Sequence, residues 1–493
     1  MKLQSLVRRA ALFSLPLATV LVGCGGAPPA TVPKTPDVAS AKKPEGPKVD
    51  RSDDAVKALF HEALEAFNGQ DKKGEWNDAT CADVAKRFEA VEERKGTAFA
   101  EASFNAGLAF QRCGNDKEAK ARFERSLKAD PKFHNARAQL ALYKFKADGD
   151  ENAAIAALQQ VVLDAQFQNV PALVALATFQ MSRDGATAGQ DCPNDLECSK
   201  RNLQRALAID DAYMPALNQL ALFYFQQAKK RAGAVTSSQK GARGRAIATN
   251  AAIAKRADVQ QLELAALVCS QAIRKNPSYA PIHNTAGLIQ TELGQVNSAV
   301  REFQTAAQLD PKFFEAQMNF AAVNLSFRGF EAAQGAYDKA IAMRPNDYDA
   351  HLGKGLALRG LITDVNYDTQ VTAVQSELDS CKKLDPNRPD AYYNEGILTQ
   401  EYKAKSGGDP KKAITALEDA KKIFGTFVQK AEGKVEYAPA VKRAKERSQD
   451  IDDTIQFLQL PGPSTPPPAA PAAPLATPAP AATPDQPAAA PKP

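Results

Sequence analysis

Three prolines, Pro277, Pro311 and Pro345, stand 34 residues apart, and that fixed period constrains the chain more than any other feature. The residues between them keep step with it. In residues 280–313 a small residue, Gly287, is followed by Ala299, Phe303, Ala306 and Pro311. Residues 314–347 place Ala321, Ala333, Tyr337, Ala340 and Pro345 at the same offsets, and residues 100–133 place Gly107, Ala119, Phe123, Ser126 and Pro131 there. Apolar residues recur at helical spacing, and no segment alternates as a half-buried strand does. Each period therefore reads as two helices. Gly287 and Ala299 let them approach, and Phe303 fills the gap beneath. Pro311 stops the second helix, because proline disfavours helical backbone in the residue before it. One hairpin cannot shield its own apolar face, so neighbours must stack. The expected fold is all-α, a solenoid of helix-turn-helix units.

Weaker copies extend the array both ways. Residues 134–167 carry Ala141, Ala153 and Ala157, and residues 168–212 open with a helix from Pro171 to Met181 and close with one ending near Ile209. The run from Tyr213 to Asn218 parallels that from Tyr279 to Asn284. Gly355, Leu378, Cys381 and Pro386 mark a copy over 348–388, and Gly396, Ala413, Leu417 and Ala420 mark another over 389–424. Residues 53–99 form a divergent first copy. The solenoid is expected over residues 52–434, with about nine hairpins. Insertions fall near 182–198 and 229–257, and a capping helix is expected over 435–460.

The two ends have a different composition. Lys2, Arg8 and Arg9 precede a short apolar stretch from Ala10 to Val22, which is too short to span a bilayer. It runs into Leu21, Val22, Gly23 and Cys24, an arrangement that resembles a lipobox. Residues 1–23 are expected to be a lipoprotein signal peptide, with lipid joined covalently to Cys24. Residues 24–51 are rich in Pro, Ala, Lys and Thr and read as a lipid-anchored flexible tether. Residues 461–493 are almost wholly Pro, Ala and Thr and read as a disordered tail of polyproline character.

Charge and motifs narrow the chemistry. Without Lys2, Arg8 and Arg9 the chain has 59 basic against 57 acidic residues. Nucleic-acid binding needs a basic excess that this balance lacks. His61, His134, His283 and His351 lie far apart and read as occupying different points of the repeat. His61 and Glu62 open a zinc-helix motif whose second histidine is missing, since Glu65 stands in its place. The Gly69–Gly74 segment leads into Glu75 rather than the Lys of a phosphate loop. No catalytic residues, metal site or cofactor is expected beyond the lipid on Cys24.

An exported chain sits where disulfides form. Cys192 and Cys198, read as lying within one loop, are the first candidates for a bridge; Cys81 and Cys113, on neighbouring helices, are a second possible pair. Cys269 and Cys381 fall on core-facing positions and read as buried thiols. The insertion holds Lys229, Lys230, Arg231, Lys240, Arg243, Arg245, Lys255 and Arg256 with no acidic residue. Its flanks are helix-forming, so two lengthened helices are expected, with Gly233 to Gly244 at the tip. The basic run has two readings, a solvated loop or a contact for anionic lipid or cell-wall polymer.

The period and its internal residues resemble the tetratricopeptide repeat over roughly 400 residues. The resemblance implies a groove lined by the first helix of each hairpin, open to a peptide or a partner's helix. Groove positions would be Phe104, Asn218, Phe225, Asn284, Leu288, Met318, Leu352 and Tyr393, the apolar ones reading first as packing residues of the core. An asparagine there has two readings: pairing with a peptide backbone, or bridging helices within the array. The full plan of lipobox, tether, repeats and tail resembles the repeat lipoproteins of the myxobacterial adventurous gliding-motility machinery. That implies a scaffold on the periplasmic face of the outer membrane that joins other envelope or motility proteins. Two other roles stay open: an assembly factor for a secretin, pilus or outer-membrane barrel, and an adaptor for cell-wall enzymes.

Overall fold

The computed structural model describes residues 51–74, 76–185, 192–238, 246–405 and 409–460, with side chains described for these except 51–53, 231–238 and 246–258. Among the described residues every regular element is a helix. The segments expected to be leader, tether and tail, and Cys24, expected to carry lipid, lie outside them, as do Lys240, Arg243 and Arg245 and the side chains of Arg231, Lys255 and Arg256. The chain divides into two units, one up to Asp385 and one from Pro386.

The first unit stacks eight helix pairs. They are α1 (Arg51–Lys73) with α2 (Asp78–Lys95), α3 (Ala100–Arg112) with α4 (Asp116–Ala129), α5 (His134–Asp148) with α6 (Glu151–Asp164), and α7 (Val170–Arg183) with α8 (Asp195–Ile209). There follow α9 (Met214–Ser238) with α10 (Ala246–Lys275), α11 (Ala280–Glu292) with α12 (Val296–Leu309), α13 (Phe314–Ser326) with α14 (Phe330–Met343), and α15 (Tyr348–Gly360) with α16 (Tyr367–Leu384). The second unit pairs α17 (Asp390–Glu401) with α18 (Pro410–Lys430) and closes with α19 (Ala438–Gln459).

The turn between hairpins has a clear chemical cause. Asp310, held extended at φ −133° ahead of Pro311, lets its carboxylate accept from the Lys312 N–H at 3.0 Å while its carbonyl accepts from Phe313 N–H. Asp130, Asp210 and Asn276 repeat this turn. The side chain thus supplies local hydrogen bonds where the helix ends, with proline next at Asp130, Asn276 and Asp310 and with Asp211 next at Asp210. Inside the hairpins, Gly114 and Gly294 turn the chain with φ of 70° and 75°, and Arg328 takes the same place at φ 64°. A residue with a Cβ is strained there.

The close approach of paired helices has a geometric measure. A Cβ on Gly107 would lie 2.6 Å from the Phe123 ring, and one on Gly287 would lie 2.6 Å from Phe303. In the second unit a Cβ on Gly396 would lie 2.6 Å from Phe424. Each aromatic is fully buried.

Two features depart from the sequence reading. The bridge between Cys192 and Cys198 is present, with Cα atoms 5.5 Å apart, but Cys198 lies within α8 rather than in a loop, because Asn194 caps that helix early. In the insertion, α9 runs through Gly233 to Ser238, so the tip does not begin at Gly233, and Gly244 lies outside the described residues. Alanine-rich sequence on both flanks sustains the helix past an isolated glycine.

Candidate interaction surface

The first helix of a hairpin is packed on one side by its partner and on the other by the preceding hairpin. Few of its side chains stay in reach of solvent. Phe104, Phe225, Met318 and Leu352 are buried, so of their two readings packing holds and the groove contact is corrected. Phe104 stacks its ring between Phe123 and Phe133, at centroid distances of 5.4 Å to each. Phe225 packs with Ala228, Leu262 and Cys269, and Met318 with Ala321 and Tyr337. Phe104, Phe225 and Met318 each pack against the next helix.

The two asparagines are also committed inward. Asn218 Oδ1 accepts from the Thr285 hydroxyl at 2.7 Å, and Asn284 Oδ1 accepts from Asn319 Nδ2 at 2.8 Å. A third link of this kind runs from Asn169 Nδ2 to Asn135 Oδ1 at 2.8 Å. A buried amide left without partners is costly, and these pairs remove that cost while fixing the register of successive first helices. Of their two readings, Asn218 and Asn284 therefore take the one that bridges helices, and the contact with a peptide backbone is corrected.

Leu288 and Tyr393 are half-buried. Tyr393 packs in the second unit against Phe424 and Phe427, with centroids 6.0 and 5.0 Å away. Leu288 belongs to a series that the sequence reading missed: Leu142, Leu222, Leu288 and Leu356 are all half-buried, and each sits eight residues after the start of its helix. Equal offsets from the helix starts at His134, Met214, Ala280 and Tyr348 were the available signal. These leucines recur at one register position in four of the first helices, and Leu142, Leu222 and Leu288 pack one side against the core while keeping another open to solvent.

Histidines supply a second recurring feature. His283 and His351 stand two periods apart at the same repeat position, which corrects the reading that scattered them. His283 Nδ1 lies 2.7 Å from Glu302 Oε2 and its Nε2 lies 2.9 Å from the Pro277 carbonyl oxygen. His351 meets Glu377 at 2.6 Å and the Pro345 carbonyl at 2.8 Å in the same way. Each ring ties the turn before its helix to the helix that follows. Both nitrogens face acceptors, so only the doubly protonated ring satisfies both. The hydrogen bond to Glu302 raises the pKa of His283 above the ordinary imidazole value, with burial opposing it and the Pro277 carbonyl adding to it.

The remaining charged and sulfur groups serve packing. Lys229 pairs with Glu292 at 2.9 Å, and Lys230 pairs with Asp184, so the described base of the insertion is neutralised. Arg183 grips the fully buried Asp195 through two nitrogens at 2.6 and 2.7 Å, and Asp195 also accepts from Gly185 N–H. Cys81 and Cys113 form a second bridge, with Cα atoms 6.4 Å apart. Cys269 and Cys381 are free and buried, and desolvation raises the Cys269 thiol pKa far above its usual range. Among the described residues no cluster of three or more His, Cys, Asp or Glu side chains is placed to hold a metal, and no helix is long and apolar enough to cross a membrane.

The period, the buried small-on-aromatic contacts and the turn chemistry meet in residues 100–133, which match the family model of the tetratricopeptide repeat. The chain carries a tetratricopeptide repeat. Solved structures of the same type resemble it in part. A thermophilic TPR protein of Thermus thermophilus is 22% identical, with 46% of this chain and 99% of that one covered and a TM-score of 0.36. YrrB, a TPR protein with an unusual peptide-binding site, is 16% identical over 49% of this chain and 97% of its own, with a TM-score of 0.32. A monomeric mutant of IFIT1 with Gppp-AAAA is 16% identical over 81% of both chains, with a TM-score of 0.46. A comparison with curated protein sequences found no match.

Proposed function

We propose that the chain is a non-enzymatic protein–protein interaction scaffold, held at a membrane by lipid on Cys24. The tetratricopeptide-like solenoid is a protein-binding architecture, and the recurring half-buried leucines Leu142, Leu222, Leu288 and Leu356 carry the reading here. Apolar side chains repeated at one register position offer a partner spaced anchors, in the manner of a helix or strand laid into a groove. The compartment rests on sequence alone: the positive start, the short apolar stretch and Cys24. The periplasmic face of an outer membrane fits that leader and the Pro-rich tether. A structural place in a gliding-motility machine fits the whole plan, and a role in assembling a secretin, pilus or barrel, or in holding cell-wall enzymes, uses the same surface. Two experiments test this. A photo-crosslinking residue placed in cells at Leu222 or Leu288 should trap a protein partner, whereas one at the buried Leu352 should not. Equal trapping at all three positions, or none at any, refutes the surface. Cys24→Ser should move the protein from the membrane pellet to the soluble fraction, and a variant that still pellets refutes the anchor.

A further inference from the structure

Helix α19 buries one face and leaves the other without a partner. Ala444 and Ile451 are fully buried in a cluster with Phe424 and Phe427 of α18. Some of its charges also turn inward: Arg447 binds Gln400 and Glu401, and Asp452 binds Lys421. The outer charges are unevenly spread along the helix. Lys442, Arg443 and Lys445 outnumber Glu446 in the first half, and Asp450 and Asp453 are exposed in the second. The helix dipole favours the opposite order, and α19 has no acidic residue in its first turn and no basic one in its last. Large apolar side chains stand open at both ends of the segment: Val435 is 83% exposed, Phe457 72% and Leu460 61%. Neither the charge order nor these side chains benefits a lone chain.

We infer that this face is a contact between two copies of the chain, which meet through antiparallel α19 helices about a two-fold axis. Such an axis near Arg447 and Ser448 makes the face complementary to itself. Lys442 and Asp453 lie equally far from that point, as do Val435 and Leu460. Lys442 of one copy then comes opposite Asp453 of the other, and Arg443 comes two residues, about 3 Å along the helix, from the level of Asp450. Phe457 and Leu460 come opposite Pro439 and Val435. The two-fold axis makes every contact twice. Parallel pairing would set base against base. A partner unrelated to this chain would not require complementarity of the face to itself. The internal pair of Lys442 with Glu446, 3.7 Å long with side chains 80% and 57% exposed, is of the weak surface kind and leaves Lys442 available. One helix face is smaller than a standard interface, which sets the expected Kd on the order of 10 μM.

Charge reversal tests the geometry on the full chain. One variant carries Lys442→Glu with Arg443→Glu, and the other carries Asp450→Lys with Asp453→Lys. Sedimentation equilibrium between about 1 and 100 μM should show wild-type dimer and a Kd at least tenfold weaker for either variant alone. An equimolar mixture of the two should regain the dimer, because the acidic face of one matches the basic face of the other. None of the four positions is buried, and circular dichroism establishes that both variants keep their helices. A wild-type chain that stays monomeric over this range, or a mixture no more dimeric than its components, overturns the inference.

Discussion

Replacing Gly287 by alanine sets two opposing effects against each other with known sizes. Alanine favours a helix interior over glycine by about 0.8–1 kcal/mol. The new Cβ, however, would lie 2.6 Å from two ring atoms of Phe303 and 2.9 Å from the ring's root carbon. Phe303 is fully buried, so it cannot swing aside, and overpacking of this kind costs about 1–3 kcal/mol. The net expectation is a loss on the order of 1–2 kcal/mol. Gly335 in α14 and Gly425 in α18 provide the control, since a Cβ at either meets nothing within 4 Å. The same substitution there should stabilise by up to about 1 kcal/mol. A long repeat array need not unfold in one step, so the readout should be local. Hydrogen exchange across α11 and α12 should speed up by roughly tenfold in Gly287→Ala, and exchange in α14 should slow in Gly335→Ala. Adding Phe303→Leu to Gly287→Ala should recover part of the loss. Slower exchange in Gly287→Ala, or identical behaviour of the two glycines, would refute the close-approach argument.

His283 predicts a pH dependence. Its folded pKa is raised, so its contribution is complete below the ordinary imidazole value of 6.5 and fades as pH rises through the higher folded value. Protection of α11 amides should therefore exceed that of His283→Gln most at pH near about 5.5–6, and the gap should narrow in alkaline buffer; a gap that widens with pH contradicts the clamp. For the bridges, thiol labelling of the native protein should leave Cys81, Cys113, Cys192 and Cys198 unmodified until a reductant is added. Reduction should destabilise the first hairpins, by up to about 3–4 kcal/mol for the bridge whose cysteines are 32 residues apart. Labelling without reductant would remove the bridges from the account.

How much of this was readable in the sequence varies with the physics. Helix ends were legible because Pro311 and its counterparts act locally, and small-on-aromatic packing was legible because Gly287 and Phe303 keep a fixed separation. The contact surface was not. Phe104, Met318 and Leu352 look from sequence like Leu288, and only the position of the preceding hairpin decides which of them is covered. Asn218 and Asn284 kept two readings for the same reason, since their partners Thr285 and Asn319 lie in another hairpin. The histidine clamp was present as a spacing, Pro277 to His283 and Pro345 to His351, but its meaning depended on Glu302 and Glu377 reaching back from the next helix.

The two bridges have a mechanical consequence. Both lie in the first part of the chain, and among the described residues Cys269 and Cys381, farther along, are unbonded. Under tension, a hairpin without a crosslink can uncoil and lengthen by on the order of 100 Å, given an extended reach of about 3.4 Å per residue. The loop closed by Cys81 and Cys113 cannot lengthen at all. A pulled chain would keep residues 81–113 as one inextensible staple and 192–198 as a second, very short one, with the hairpins that no bridge closes yielding and recoiling one by one.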